Sequence, residues 1–239
     1  MKAYTALKHR QEDGTAMALT NRSLPLRPVP RETVQDHVYR QLKELILNGG
    51  IEPGRTVTIQ SLSDAFGVSA MPVREALHRL VAEKALTVVA GRSVGIPPLS
   101  IDRLEDLTRA RIEIEGVATE WAARVMSAGD LAKLDDLIAT MEAAQAAGDG
   151  KRYVPANRDF HFTVYRAAES ETLLSIIESL WLRIGPYFDL LNAAGGLRAS
   201  NAEHRRIRDA LGRGDGLEAR TALKADIEGA AKTLRTLLP

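Results

Sequence analysis

Two imidazoles and a few oxygen donors are the side chains in this sequence best suited to hold a metal. Asn157 and His161 stand four apart in Asn157-Arg158-Asp159-Phe160-His161, so on a helix they share one face. Asp159, only two residues from His161, points elsewhere. His204 lies in Ala202-Glu203-His204-Arg205, and Asp226 in Lys224-Ala225-Asp226-Ile227. If their helices surround one cavity, Asn157, His161, His204 and Asp226 supply two ring nitrogens, a carboxylate and an amide oxygen. That mixture suits a borderline divalent ion such as zinc, nickel or manganese, with coordination positions to spare. A histidine in a helical bundle more often makes one hydrogen bond and binds nothing, so the residues alone leave both readings open. Arg111 adds a guanidinium able to grip a carboxylate with two parallel hydrogen bonds. Glu115, one turn on, competes for it. Tyr165, Trp181 and Tyr187 fall where they would wall a pocket or simply fill a core.

A second chemistry is written between Thr58 and Lys84. Ile59, Leu62, Ala65 and Phe66 recur at spacings of three and four, the mark of one buried helical face. Gly67 ends that helix at low cost in the left-handed conformation. Ser69 is the expected N-cap of the next helix, and Pro72 falls in its first turn, where a missing N–H does no harm. Val73, Ala76, Leu77, Leu80 and Val81 form the second apolar stripe. The outward residues are then Ala70, Met71, Arg74, Glu75, His78 and Arg79. This is a helix-turn-helix pattern, with Arg74 able to reach a guanine edge or a phosphate. Any helical hairpin exposes arginines, but Leu86–Val89 and Val94–Pro97 read as two short strands around Ala90-Gly91-Arg92-Ser93. A hairpin after a recognition helix is a wing, with Arg92 and Ser93 at its tip.

Residues 33–98 therefore resemble the winged helix of the GntR family of bacterial transcription regulators. The resemblance rests on Leu62-Ser63-Asp64-Ala65-Phe66-Gly67-Val68-Ser69-Ala70-Met71-Pro72-Val73-Arg74-Glu75-Ala76-Leu77. Members of that family usually carry arginine where this chain has Ala70, and often a charge where it has Gln60, so the resemblance implies an unusual operator. Residues 101–235 are similar to the FCD domain, the all-helical effector domain of one GntR subgroup. The carrying residues are Arg111 to Glu115, Asn157 to His161 and Glu203-His204. The resemblance implies a divalent metal at Asn157, His161, His204 and Asp226, and a carboxylate effector held by the metal and Arg111, with Tyr165 in the pocket wall. Here Asn157 and Asp226 stand where relatives carry a carboxylate and a histidine.

The elements that must position these groups divide the 239 residues into three parts. Residues 1–30, with five basic side chains and three prolines among no periodicity, read as a mobile tail. Residues 31–98 are the winged helix-turn-helix domain, opened by a helix from Thr33 with Val34, Val38, Leu42, Leu45 and Ile46 on one face; Tyr39 and Arg55 are candidates to touch the DNA backbone. Residues 99–239 read as six helices, Leu104–Met126, Leu131–Ala146, Pro155–Ala168, Leu173–Leu191, Leu197–Leu211 and Leu217–Leu237, an antiparallel bundle. The fold class is thus mainly α. Net charge is +1 overall, but residues 1–98 hold 13 lysines and arginines against 9 acids, a mildly basic half suited to phosphate. Cysteine is absent, which excludes disulfides and thiolate metal sites. No apolar run spans a bilayer and no signal-peptide core is present, so the expected location is the bacterial cytoplasm, at the nucleoid.

The reading that results is a DNA-binding transcription regulator. It is expected to be a homodimer on double-stranded, palindromic operator DNA, dimerising through the bundle and answering to a small organic acid. A metal-dependent hydrolase with an accessory winged helix, or a constitutive dimeric DNA-binding protein without effector, are the alternatives. No phosphate-binding glycine loop, nucleophile elbow or HExxH motif supports an enzyme.

Overall fold

The computed structural model describes residues 33–90, 93–193 and 197–238. The tail at 1–30 and the wing-tip Arg92 lie outside the described residues. The chain runs α1 (Val34–Leu47), β1 (Thr56–Thr58), α2 (Ile59–Phe66), α3 (Ala70–Ala82), β2 (Thr87–Ala90) and β3 (Ser93–Gly95), then seven further helices. The strands form one antiparallel sheet in the order β1-β3-β2, with Val57 opposite Val94 and Val88 opposite Val94 on the other side.

The winged part is held by a small core in which Leu42, Ile46, Val73, Ala76, Leu77 and Leu80 are essentially solvent-free. Such side chains contribute roughly 1.5–3 kcal/mol each when fully buried. Because Val73, Ala76, Leu77 and Leu80 all point inward, α3 cannot rotate, and its polar face is turned out. Several details depart from the sequence reading. Val34 and Leu45 of α1 are exposed, and Tyr39 takes the buried place beside Leu42. On α2, Ala65 faces solvent, while Ser63 is buried and donates its hydroxyl to the Ile59 carbonyl at 2.8 Å. A hydroxyl satisfied within its own helix can occupy an apolar face, which residue type alone hides. Ser69 has the extended backbone of an N-cap but makes no capping hydrogen bond; the reciprocal cap sits one helix earlier, between Thr58 and Ser61.

The bundle comprises α4 (Ile101–Ala122), α5 (Ala128–Ala147), α6 (Gly150–Ala167), α7 (Glu171–Ile184), a 3-10 turn (Gly185–Tyr187), α8 (Phe188–Ala193), α9 (Leu197–Gly212) and α10 (Gly216–Thr236). Gly129-Asp130 is not a break. It lies in the first turn of α5, where Asp130 accepts from the Ser127 backbone and hydroxyl as half of a capping box. Pro155 is inside α6, which Asp149 caps more than a turn earlier. The helix expected over Leu173–Leu191 is split at Gly185-Pro186, since proline cannot supply the N–H that would continue it. The principal packings are α10 against α4 and α9, and α5 against α6 and α9. Asn201 of α9 ties them, accepting from the Tyr153 hydroxyl and donating to Gln145, each at 2.8 Å.

The winged part is fastened to the bundle at several points. Arg158 of α6 donates to Glu44 at 2.7 Å and to Asn48 at 3.0 Å, both at the end of α1. Lys43 pairs with Glu178, and the Tyr187 hydroxyl donates to the Pro97 carbonyl.

Gly67 turns the chain between α2 and α3 with φ +64°, and an added Cβ would meet nothing within 4 Å. Gly67→Ala therefore adds backbone strain and no clash, and should destabilise the protein by about 1–2 kcal/mol in denaturant unfolding. Gly67→Asn should cost less.

Candidate functional site

Two sites emerge, one on the surface of α3 and one inside the bundle. On α3, Ala70, Met71, Arg74, Glu75 and His78 are all exposed. Arg74 makes no ion pair or hydrogen bond among the described residues, whereas Arg79 is taken: its Nε donates to Glu83 at 3.2 Å and its guanidinium lies 3.7 Å from the centre of the Tyr39 ring. Tyr39 itself donates to both Glu83 oxygens at 2.9 Å, and burial, then Glu83, push its phenol far up. The structure thus removes Tyr39 from the candidate DNA contacts and makes it the brace of α3 on α1. Arg55 is exposed and paired locally with Glu52. Gln60 is exposed on α2 with its amide donating to Asp64 at 2.8 Å, and Ser69 is exposed at the start of α3. Ser93, half-buried, shares a small cleft between α3 and the wing with Arg74 and His78. A bare arginine flanked by a helix N-terminus and a wing is the arrangement that can straddle a phosphate and reach a base edge.

Inside the bundle, α6, α9 and α10 bring His161, His204 and Asp226 together, their candidate donor atoms all within 4.8 Å of one another. His161 Nε2 is 3.2 Å from His204 Nε2 and 3.4 Å from Asp226 Oδ2, and His204 Nε2 is 3.7 Å from Asp226 Oδ1. Ligands about 2.0–2.1 Å from a tetrahedral ion are separated by about 3.4 Å, the scale of these contacts, in which His161 meets one Asp226 oxygen and His204 the other. The protein's own hydrogen bonds leave it incomplete: Asp226 Oδ1 and His204 Nδ1 are buried without a partner among the described residues. Burial acts to raise the Asp226 carboxyl, but the neighbouring imidazoles and Ser200 outweigh it and hold it down at about 2. Burial pulls the His204 imidazole down to about 4, in spite of Asp226. At neutral pH His204 is therefore uncharged. The compensation for the Asp226 charge must come from His161 and hydrogen bonds, or from a cation.

A chain of polar groups sets the orientation of His161. Arg111 and Glu115, both buried, form a two-point ion pair at 2.6 and 3.2 Å. Burial works against the Arg111 charge and Glu115 more than offsets it. The Tyr165 hydroxyl donates to Glu115 Oε2 at 2.5 Å, so toward His161 Nδ1, 3.2 Å away, it accepts. That assigns a proton to Nδ1 and turns Nε2 toward Asp226 and His204, free to carry a second proton or to offer its lone pair to a metal. Tyr165 is four residues from His161, so this spacing was visible; its meaning depended on Glu115, fifty residues away.

The cavity beside the triad is lined by Arg111, Asn157, His161, Trp181, Ser200 and Asp226 among others, and has room of about 10 Å³. That holds one water or one ion. Asn157, Arg111 and Trp181 thus line this cavity. Tyr165 does not line the cavity but stands behind His161, and Tyr187 is spent on Pro97. Ser200 has no counterpart in the sequence reading, since a serine in the first turn of a helix more often marks a helix end than a site.

Glu115→Ala leaves the Arg111 charge buried and unpaired. It should cost about 3–5 kcal/mol in chemical unfolding, and replacing both residues by apolar side chains should recover much of that loss.

Both sites lie within segments that match known families. Residues 34–96 match the model of the gntR family of bacterial regulatory proteins, and residues 106–229 that of the FCD domain. The chain is 34% identical over 149 residues to the HTH-type transcriptional regulator McbR of Escherichia coli (strain K12), covering 62% of this chain and 67% of that protein. It is 28% identical over 222 residues to the HTH-type transcriptional regulator BphR of Paraburkholderia xenovorans (strain LB400), covering 87% of this chain and 89% of that protein. The solved structure of E. coli McbR/YncC superposes with a TM-score of 0.79 at 28% identity, over 87% of this chain and 100% of that one.

Proposed function

We propose, from the premise that this chain belongs to the FCD-bearing part of the GntR family of bacterial regulatory proteins, that a divalent metal in its bundle sets its affinity for operator DNA. The family makes it a DNA-binding transcription regulator and not an enzyme. The observation that carries the metal reading is the buried Asp226 carboxylate with an unpartnered oxygen, facing two imidazole nitrogens at the separations an ion requires. His161, His204 and Asp226 would hold zinc, nickel or manganese, and Asn157 borders the same space. When bound, the metal supplies a fixed positive charge and open coordination positions. The side chains around it do the rest: Tyr165 keeps the proton of His161 on Nδ1, and Glu115 holds Tyr165 in place.

A small organic acid is the proposed effector. Its carboxylate would meet the metal, beside Arg111, with the indole N–H of Trp181, buried and without a partner among the described residues, as a further donor. Present room admits only an ion or a water, so the acid enters as Phe188 and Leu191, which line the cavity, draw aside. A ligand that favours the opened arrangement changes operator affinity by its preference for that state. The α6 helix bears His161 on one side and, at Arg158, the hydrogen bonds to the end of α1, so a shift of α6 is passed to α1 of the winged part. A homodimer on a palindrome, in the cytoplasm, completes the reading: one recognition helix makes few base contacts, and two symmetric copies double them. Among the described residues no helix is long and apolar enough to cross a membrane.

Purified protein should carry close to one divalent ion per chain by elemental analysis, and His161→Ala and His204→Ala should each lose it; equal metal content in all three would sink the site. In gel-shift titration on the DNA beside its own gene, Arg74→Ala should lose specific binding by tenfold or more while the oligomeric state in light scattering is unchanged. A thermal-shift screen of small carboxylates should give hits that vanish with chelator, whereas hits indifferent to chelator would remove the metal from effector binding.

A further inference from the structure

The outward side of α3 is unusual for a surface meant to meet a polyanion. Its first turn presents no charge. Ala70 and Met71 are both exposed, and Met71, a long apolar side chain, is 64% exposed. Met71 is three residues from Arg74 and Ala70 is four, so the three lie along one strip of the helix. The strip continues to His78, which shares the cleft beside the wing with Arg74 and Ser93. The orientation of the strip is fixed, because Val73, Ala76, Leu77 and Leu80 anchor the opposite face. Arg79 is withdrawn from the same surface by Glu83 and Tyr39. On α3, among the described residues, this leaves one uncommitted guanidinium, Arg74, with an apolar patch on its N-terminal side.

The chemistry of the major groove then limits what that patch can meet. Guanine offers two acceptors, adenine an acceptor and a donor, and cytosine a donor; only thymine places a methyl group in the groove. An apolar side chain pressed against any of the others would strip water from a polar edge and give nothing back. We propose that Met71 and Ala70 form a thymine-methyl contact, so that each operator half-site carries thymine within one or two base pairs of the base read by Arg74. This rests on the reading of α3 as the helix that enters the groove and adds the chemical identity of its neighbouring base.

Uracil in place of thymine deletes the methyl group and leaves base pairing intact. The preferred half-site of the full-length protein would first be selected from random duplexes, and each thymine then replaced singly by deoxyuridine in binding titrations. One or two positions beside the base pair whose identity ceases to matter in Arg74→Ala should weaken binding roughly three- to fivefold, the scale of one buried methyl group. Met71→Ala should bind thymine and uracil at those positions equally well while keeping its helical circular dichroism and its discrimination at the Arg74 position. A selected site indifferent to uracil throughout, or a uracil penalty undiminished in Met71→Ala, overturns the inference alone. Failure to select any preferred site overturns the reading of α3 as well.

Discussion

A carboxylate buried in a helical bundle has to be compensated, and the interior of this protein is arranged around that requirement at two adjoining places. Glu115 is answered by Arg111 and by the Tyr165 hydroxyl. Asp226 is answered incompletely, by His161 and Ser200, with one oxygen left over. The two are linked through Tyr165 and His161, so one polar chain runs from the ion pair on α4 to the triad on α6, α9 and α10. Breaking such a chain by removing one member leaves a charge in a low-dielectric interior, which is costlier than never having built it. A site left one charge short is suited to a cation, because the protein framework has already borne the cost of bringing the donors together.

The same helix that contributes His161 also holds the winged part. Arg158 neighbours Asn157 in sequence but points the other way, toward Glu44 and Asn48 at the end of α1. An α-helix moves as a rigid element, so a displacement on the site face is a displacement on the contact face. α1 in turn carries Tyr39, whose hydroxyl and ring hold Glu83 and Arg79 of the recognition helix region. The path from triad to DNA-facing surface is therefore short and made of named contacts. It crosses two polar clusters, Arg158 with Glu44 and Asn48, and Tyr39 with Glu83 and Arg79.

Economy of charge marks the DNA-facing surface. Of two arginines on α3, Arg79 braces the fold and Arg74 makes no ion pair or hydrogen bond among the described residues. The exposed apolar turn ahead of the free one narrows the set of bases it can sit against, and narrow choice is what specificity requires.

Periodicity, glycine and proline placement were enough to identify the helix-turn-helix, the wing strands and a helical bundle, because local sterics and one-sided burial leave few other ways to satisfy those patterns. Asn157 and His161 could be put on one face by their spacing alone. Other features needed the tertiary structure. Pro186 within an apolar run, Asp130 beside a glycine, and Ser63 on a buried face each depended on a hydrogen bond or its absence. The meeting of His161, His204 and Asp226 is a matter of how α6, α9 and α10 pack, across 65 residues of chain that periodicity treats as independent segments. Whether Arg111 reaches a ligand or an internal partner was likewise open until the fold put Glu115 and Tyr165 beside it. Local pattern determined where most helices lie and which face of each is mainly apolar, because those follow from neighbours in the chain; only packing decided the buried exceptions such as Tyr39 and Ser63, and which buried charges must face one another.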